Sequence, residues 1–173
     1  MAKKLEKIGY GQLELNNVAF RRNGNVEAQC ALAENLEYIE NGMLLAVNNM
    51  ARTVDYAKSG NTLPVALHYS AEHMYEGRAN GLKDFRLEKN SFLPRLGYLI
   101  AGDKYITNTV KYDESKYATE EAFLEALGTK AMYAHADTDG YHLVNETATN
   151  AIALAVAAAT LPDGQKAVKF QAL

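Results

Sequence analysis

Short runs of alternating apolar and polar residues, separated by tight-turn dipeptides, constrain this chain more than any other feature. Side chains of a strand point to opposite faces in turn, so a period of two marks a half-buried strand. Leu13 and Leu15, then Val18 and Phe20, alternate with polar neighbours. Asn23-Gly24 follows, a pair that supplies positive φ at both turn positions, and Val26, Ala28, Cys30 and Leu32 alternate on the far side. The pattern predicts a hairpin over 12–32 with those four residues facing one way.

The rhythm repeats downstream. Glu40-Asn41-Gly42 reads as a turn, Met43 to Val47 as a buried strand and Asn48-Asn49 as a second turn. Met50, Arg52, Val54 and Tyr56 alternate again, and 63–69 forms a further strand with Pro64 near its start, where proline is tolerated. Residues 70–81 break the pattern, and Ser70 could cap a short helix there that Gly77 or Gly81 would end. Strands are predicted over 82–87, 92–100 and 104–112, with Ala101-Gly102-Asp103 as a tight turn.

A better-marked helix starts at Thr119. That residue is a good N-cap, Glu120 and Glu121 suit the positive end of the helix dipole, and Phe123, Leu124 and Leu127 form an apolar stripe before Gly128. Residues 131–135 and 141–144 flank a turn at Asp137 to Gly140. The alanine-rich stretch 150–160 has helical propensity, yet Ile152, Leu154 and Val156 recur every second residue. With Pro162-Asp163-Gly164 as a turn and 167–173 alternating, a hairpin explains both halves. It places the alanines on the outer face.

About ten short strands with frequent turns and one or two short helices point to a mainly β fold, an antiparallel β-sandwich or barrel. Residues 1–11 read as an N-terminal arm and 12–173 as a single β-rich domain, with a weak joint near 113–118. The length of 173 residues fits one domain or two small ones.

Composition removes several function classes. A bilayer-spanning helix needs about 20 consecutive apolar residues, and the longest apolar run is only Ala151 to Ala159. Met1 to Lys7 has the basic start of a signal peptide without an apolar core, which argues against secretion by that route. Cys30 is the sole cysteine, so neither an internal disulfide nor a cysteine zinc site can form. The net charge is -3 and no basic block would neutralise a row of phosphates, which argues against nucleic-acid binding. The aromatic residues are eleven Tyr, five Phe and no Trp, a bias that suits half-buried sheet faces and subunit contacts.

Two polar constellations deserve a chemical test. His135, Asp137, Asp139, Gly140 and Glu146 match an EF-hand calcium loop at several positions. His135 replaces the first aspartate, however, and His142 stands where an aliphatic residue belongs, so a hairpin turn is the expectation. His68, Glu72, His73 and Glu76 form a second cluster, but a strand and a short helix need not bring them together. Ser59, Ser70, Ser91 and Ser115 lack a nucleophile elbow. Gly9 and Gly11 lack the third glycine and preceding strand of a phosphate loop. The expectation is a chain with no catalytic residues, no metal and no cofactor.

Several segments together look like the small head-associated structural proteins of tailed bacteriophages, of the capsid-decoration or head-fibre-base type. They are Val18 to Cys30, Glu40 to Val47 leading to Leu67 to Glu72, Pro94 to Tyr98 with Gly102 to Asn108, and the turn Leu161 to Gly164. The entry at Glu40 to Leu45 is similar to the step into a small β-barrel in trimeric decoration proteins. This chain is longer and has its own C-terminal helix and hairpin. The resemblance implies a homo-oligomeric virion component that assembles in the host cytoplasm. Its partners would be the major capsid protein or other virion proteins, with no nucleic acid and no membrane. The alternative expectation is a β-sandwich module that recognises glycan or host surface.

Overall fold

The computed structural model describes residues 1–58, 62–71 and 81–173. In chain order its strands are β1 (Ala2–Lys4), β2 (Leu13–Asn17), β3 (Val26–Glu27), β4 (Ala31–Leu32), β5 (Tyr38–Ile39), β6 (Leu44–Asn48), β7 (Thr53–Tyr56), β8 (Val65–His68) and β9 (Leu87–Glu88). They continue with β10 (Leu96–Gly97), β11 (Lys104–Thr107), β12 (Val110–Asp113), β13 (Met132–Ala136), β14 (His142–Asn145), β15 (Ala153–Thr160) and β16 (Lys166–Ala172). Among the described residues one α-helix, α1, spans Glu120–Ala126.

The chain is mainly β. An eight-stranded sheet runs in the order β1-β12-β14-β13-β15-β16-β11-β2, a six-stranded sheet in the order β3-β10-β8-β6-β7-β4, and β5 pairs with β9. Pairing is antiparallel except at β12–β14 and β4–β7. The large sheet is rolled. Its strands β11 and β12 sit near opposite ends, yet only Asn108 and Thr109 separate them in sequence. Consecutive Cα atoms are about 3.8 Å apart, so those two residues hold the ends of the sheet side by side. Among the described residues no ladder closes the roll into a barrel.

Two cores result. Inside the roll lie Tyr105, Tyr112, Phe123, Met132, Val144 and Phe170, joined by Leu44, Ala46 and Leu67 from the smaller sheet. The opposite face of the smaller sheet carries Leu45, Val47 and Ala66 against Cys30, Ile39, Leu87 and Tyr141. Strand β6 is therefore buried on both faces, which explains why Met43 to Val47 reads as a continuous apolar run.

The α1 start follows its sequence signals. The Thr119 side-chain oxygen accepts a hydrogen bond from the Ala122 amide at 3.2 Å, and Phe123 stacks on Tyr112 at 4.9 Å. The hairpins β13–β14 and β15–β16 form around Gly140 and Gly164, both at positive φ.

Other expectations change. The segment 12–32 is not a hairpin: β2 pairs with β11 in the large sheet, whereas β3 pairs with β10 in the smaller one. Asn23-Gly24 still turns, but the chain crosses between sheets there, and Val26 is 42% exposed while Cys30 and Leu32 are buried. Met50 and Arg52 lie in the turn before β7, with Arg52 at positive φ. The segment 82–87 begins as a 3-10 turn over Leu82–Asp84, and 92–100 contributes only β10. The stretch 104–112 is two strands broken at Asn108-Thr109. The helix proposed for 70–81 falls mostly outside the described residues.

The alanine hairpin is inside out relative to expectation. Ala153 and Ala155 are buried, Leu154 and Val156 are half-exposed, and Ile152 is half-buried against the edge of the core. Helix α1 packs on β15, and the rings of Tyr105, Phe123 and Phe170 share the same core. Small inward side chains on β15 leave room for them.

The N-terminal arm is docked on its own chain. Ala2, Lys3 and Lys4 pair with Asp113, Tyr112 and Lys111, the Leu5 amide donates to the Val110 carbonyl at 3.0 Å, and the Leu5 side chain is buried. Burying one leucine contributes roughly 1.5–3 kcal/mol. At 113–118, the Asp113 carbonyl accepts from the amides of Lys116 and Tyr117, and Tyr117 packs edge-on against Phe123.

Candidate functional site

The densest chemistry in the molecule surrounds the Tyr141 ring, where the arm, the 40–42 turn and the β13–β14 turn meet. Lys4 Nζ lies 3.9 Å from the ring centroid, Lys7 Nζ 5.2 Å and Lys111 Nζ 5.8 Å. Three carboxylates answer these three ammonium groups. Lys7 pairs with Glu40. Lys111 meets Asp137 at 2.5 Å and Asp139 at 2.9 Å, and Lys4 meets Asp139 at 3.1 Å. Glu40 also accepts from the Gly11 amide at 2.6 Å and the Tyr141 hydroxyl at 3.3 Å.

Burial sets the electrostatics. It pulls the Lys7 ammonium below its ordinary pKa, and Glu40 offsets this only in part. Burial also opposes the charge on Lys111, but Asp137 and Asp139 outweigh it and leave that pKa raised. Asp139 responds in mirror image: burial pushes it up, and Lys111 and Lys4 bring it to a net lowering. Tyr141 is pushed well above the ordinary phenol range, first by burial and then by Glu40. The formal charges balance three against three. No excess charge remains to attract an ion, and a phenol held protonated donates rather than attacks.

Beneath this seam the backbone packs with no room for a methyl group. A Cβ on Gly42 (φ +83°) would land on the hydroxyls of Thr107 and Thr109, and one on Gly11 would meet the Asn41 carbonyl at 2.6 Å. The Thr107 hydroxyl donates to the Gln12 carbonyl at 2.7 Å, and Asn108 Oδ1 accepts from the Gln12 amide at 2.8 Å. These buried hydrogen bonds join the two ends of the rolled sheet, although among the described residues Asn108 Nδ2 finds no partner.

The sequence-derived metal candidates do not converge. In the β13–β14 register His135 faces Leu143 and Ala136 faces His142, so the two histidines point to opposite sides of the sheet. His135 lies outside, with Nε2 2.8 Å from the Thr147 carbonyl. His142 is fully buried, with Nε2 3.0 Å from the Tyr105 hydroxyl and Nδ1 3.2 Å from the Thr109 carbonyl. Burial lowers its pKa to about 4. Asp137 and Asp139 hold lysines, and Glu146 holds Lys130. Among the described residues no group of three His, Cys, Asp or Glu side chains could hold a metal ion.

Of the second cluster only His68 is described; Glu72, His73 and Glu76 lie outside the described residues. His68 makes a contact that sequence reading missed. Its Nε2 is 2.7 Å from the Ser70 hydroxyl and its Nδ1 2.8 Å from the Glu40 carbonyl. Alternate strand positions suggest such a contact only once the strand end is known. A Ser–His pair resembles a nucleophile and its base, but burial lowers the His68 pKa to about 4, so it is a poor proton acceptor at neutral pH. Ser70 also accepts from the Arg95 amide at 2.9 Å, and the pair fastens the end of β8 to the chain near β10.

The open surface offers shallow clefts. One of about 220 Å³ is lined by Ala31, Leu32, Asn90, Ser91, Phe92 and Leu93. Another of about 430 Å³ lies between the arm, α1 and the β15–β16 turn. Two more, of about 360 and 520 Å³, run beside β2. Neither Ser70 nor His68 lines any of these four. No described helix is long and apolar enough to cross a membrane. No family model, curated protein or solved structure matches the chain significantly.

Proposed function

We propose that this chain is a structural virion component that binds the surface of a phage capsid or head and stabilises or decorates it through protein–protein contacts. The observation that carries the reading is the balanced seam at Tyr141. The richest cluster of ionisable groups ties the N-terminal arm and two sheets together and presents no reactive centre. Its charges, Lys4, Lys7, Lys111, Glu40, Asp137 and Asp139, all pair with one another. A part that must persist in a particle benefits from such internal locking. The resemblance of Val18 to Cys30 and Glu40 to Val47 to head-associated proteins supplies the phage context.

In this reading the partners are the major capsid protein or other virion proteins, including further copies of the same chain, and the place of action is the virion. The glycan-binding alternative calls for an exposed tyrosine-lined groove. It draws less support, because Tyr69, Tyr105, Tyr112, Tyr117 and Tyr141 are buried and no tyrosine lines the four clefts.

The test is quantitative mass spectrometry of virions purified from the source. Hundreds of copies per particle would match a shell-wide component, and about a dozen a component near the portal. Absence from purified particles would sink the proposal.

A further inference from the structure

Sheet edges differ in how they are protected. A free edge displays unpaired backbone donors and acceptors, and proteins blunt it with short strands, lysines or prolines. At one end of the large sheet, β1 has three residues, two of them Lys3 and Lys4. The ends of the smaller sheet, β3 and β4, have two residues each. Strand β2 is the exception. It is five residues long, Leu13-Glu14-Leu15-Asn16-Asn17, with no lysine, proline or glycine. Among the described residues, only β11 pairs with it.

Space and charge lie beside that edge. The two clefts of about 360 and 520 Å³ share Leu15, Asn16 and Arg21. At Asn16 the β2–β11 register shifts, so Asn16 has no partner across that ladder. The end of the strand is cationic: Arg21 and Arg22 line the larger cleft, and Lys104 stands opposite Asn17 in register. Among the described residues neither Arg22 nor Lys104 has an ion pair. Glu14 is the one carboxylate lining these clefts.

We propose that the free edge of β2 accepts an extended acidic segment of a partner protein as an added strand. Backbone hydrogen bonds to Leu13–Asn17 would supply the affinity, and Arg22 and Lys104 the preference for carboxylates. The proposal does not rest on the chain being a virion component.

The test uses the full chain, isotopically labelled for NMR, and a capped nine-residue peptide of alternating valine and glutamate. Binding should shift the backbone amides of Leu13 to Asn17 and slow their exchange. The same peptide with lysine for glutamate should not bind. N-methylation of every second peptide nitrogen should abolish binding, and a folded R22E/K104E variant should bind at least tenfold more weakly. Three results would overturn the proposal: no binding of the acidic peptide, binding that survives N-methylation, or full protection of the 13–17 amides before peptide is added.

Discussion

Replacing Glu40 with glutamine removes one charge from the seam and almost no volume. Lys7 then keeps its ammonium group in a site where its side chain is only 12% exposed, with no carboxylate in contact. Breaking one side of a buried pair costs about 3–5 kcal/mol. The long lysine stem can shift its head toward water, which places E40Q at the lower end, about 3 kcal/mol. A chain of this size has a stability of roughly 5–15 kcal/mol, so the loss is large without abolishing the fold. With a urea slope near 2–3 kcal/mol/M, the unfolding midpoint should fall by about 1–1.5 M. Circular dichroism follows the transition. The double variant E40Q/K7M removes both charges and should regain most of the loss. An internal control is available on the surface: Glu34, 98% exposed, pairs with Lys89 at 2.7 Å, and E34Q should leave the urea midpoint nearly unchanged. A loss for E40Q no greater than for E34Q, or a double variant no more stable than E40Q, would refute the view that the seam is a buried lock.

Three further outcomes follow from other sites. Gly97→Ala drives a methyl group into the Phe20 ring, whereas Gly24→Ala meets nothing within 4 Å. Calorimetry should show a loss of about 1–3 kcal/mol from overpacking at Gly97 and about 1 kcal/mol from positive-φ strain at Gly24. Among the described residues the buried Tyr112 hydroxyl has no hydrogen-bond partner, so Tyr112→Phe should leave stability unchanged or raise it by up to about 1 kcal/mol; a clear loss in urea titration would contradict the orphaned hydroxyl. His68 and His142 have folded pKa values lowered by burial to about 4 from 6.5. Both rings should remain neutral by NMR at pH 5.5. The unfolded chain binds more protons in this window, so stability present above pH 6.5 should be lost as pH falls toward 4, and a flat urea midpoint across that range would count against the buried, neutral state.

Local signals survived where the partner was also local. The Thr119 cap, the Asp137–Gly140 hairpin and the Pro162–Gly164 hairpin all join residues close in sequence. Long-range pairing was not legible in the same way. The Asn23-Gly24 turn has hairpin chemistry, but its flanks find β11 and β10 instead of each other. No local rule states that preference. The break at Asn108-Thr109 was hidden because polar residues inside a strand pattern look like an outer face, while here they are buried and bonded at a seam. The alanines of β15 misled for a related reason. Hydrophobicity alone assigns Leu154 and Val156 to the interior, yet the inward positions of β15 hold Ala153 and Ala155, in one core with the rings of Tyr105, Phe123 and Phe170. The seam at Tyr141 gathers residues from four separate stretches, and only Asp137, Asp139 and Tyr141 lie together in sequence.

The docked arm has a consequence for synthesis. Ala2 pairs with Asp113, and Leu13 with Thr107, so residues 2–13 wait for partners that are made about a hundred residues later. At roughly 5–20 residues per second, that interval is about 5–20 s. During it the arm is an unpaired segment exposed to any other strand edge. Lys3, Lys4 and Lys7 give the unpaired arm a positive charge that discourages it from pairing with copies of itself. Lys4 and Lys7, which later lock the arm around Tyr141, thus guard it before the lock exists.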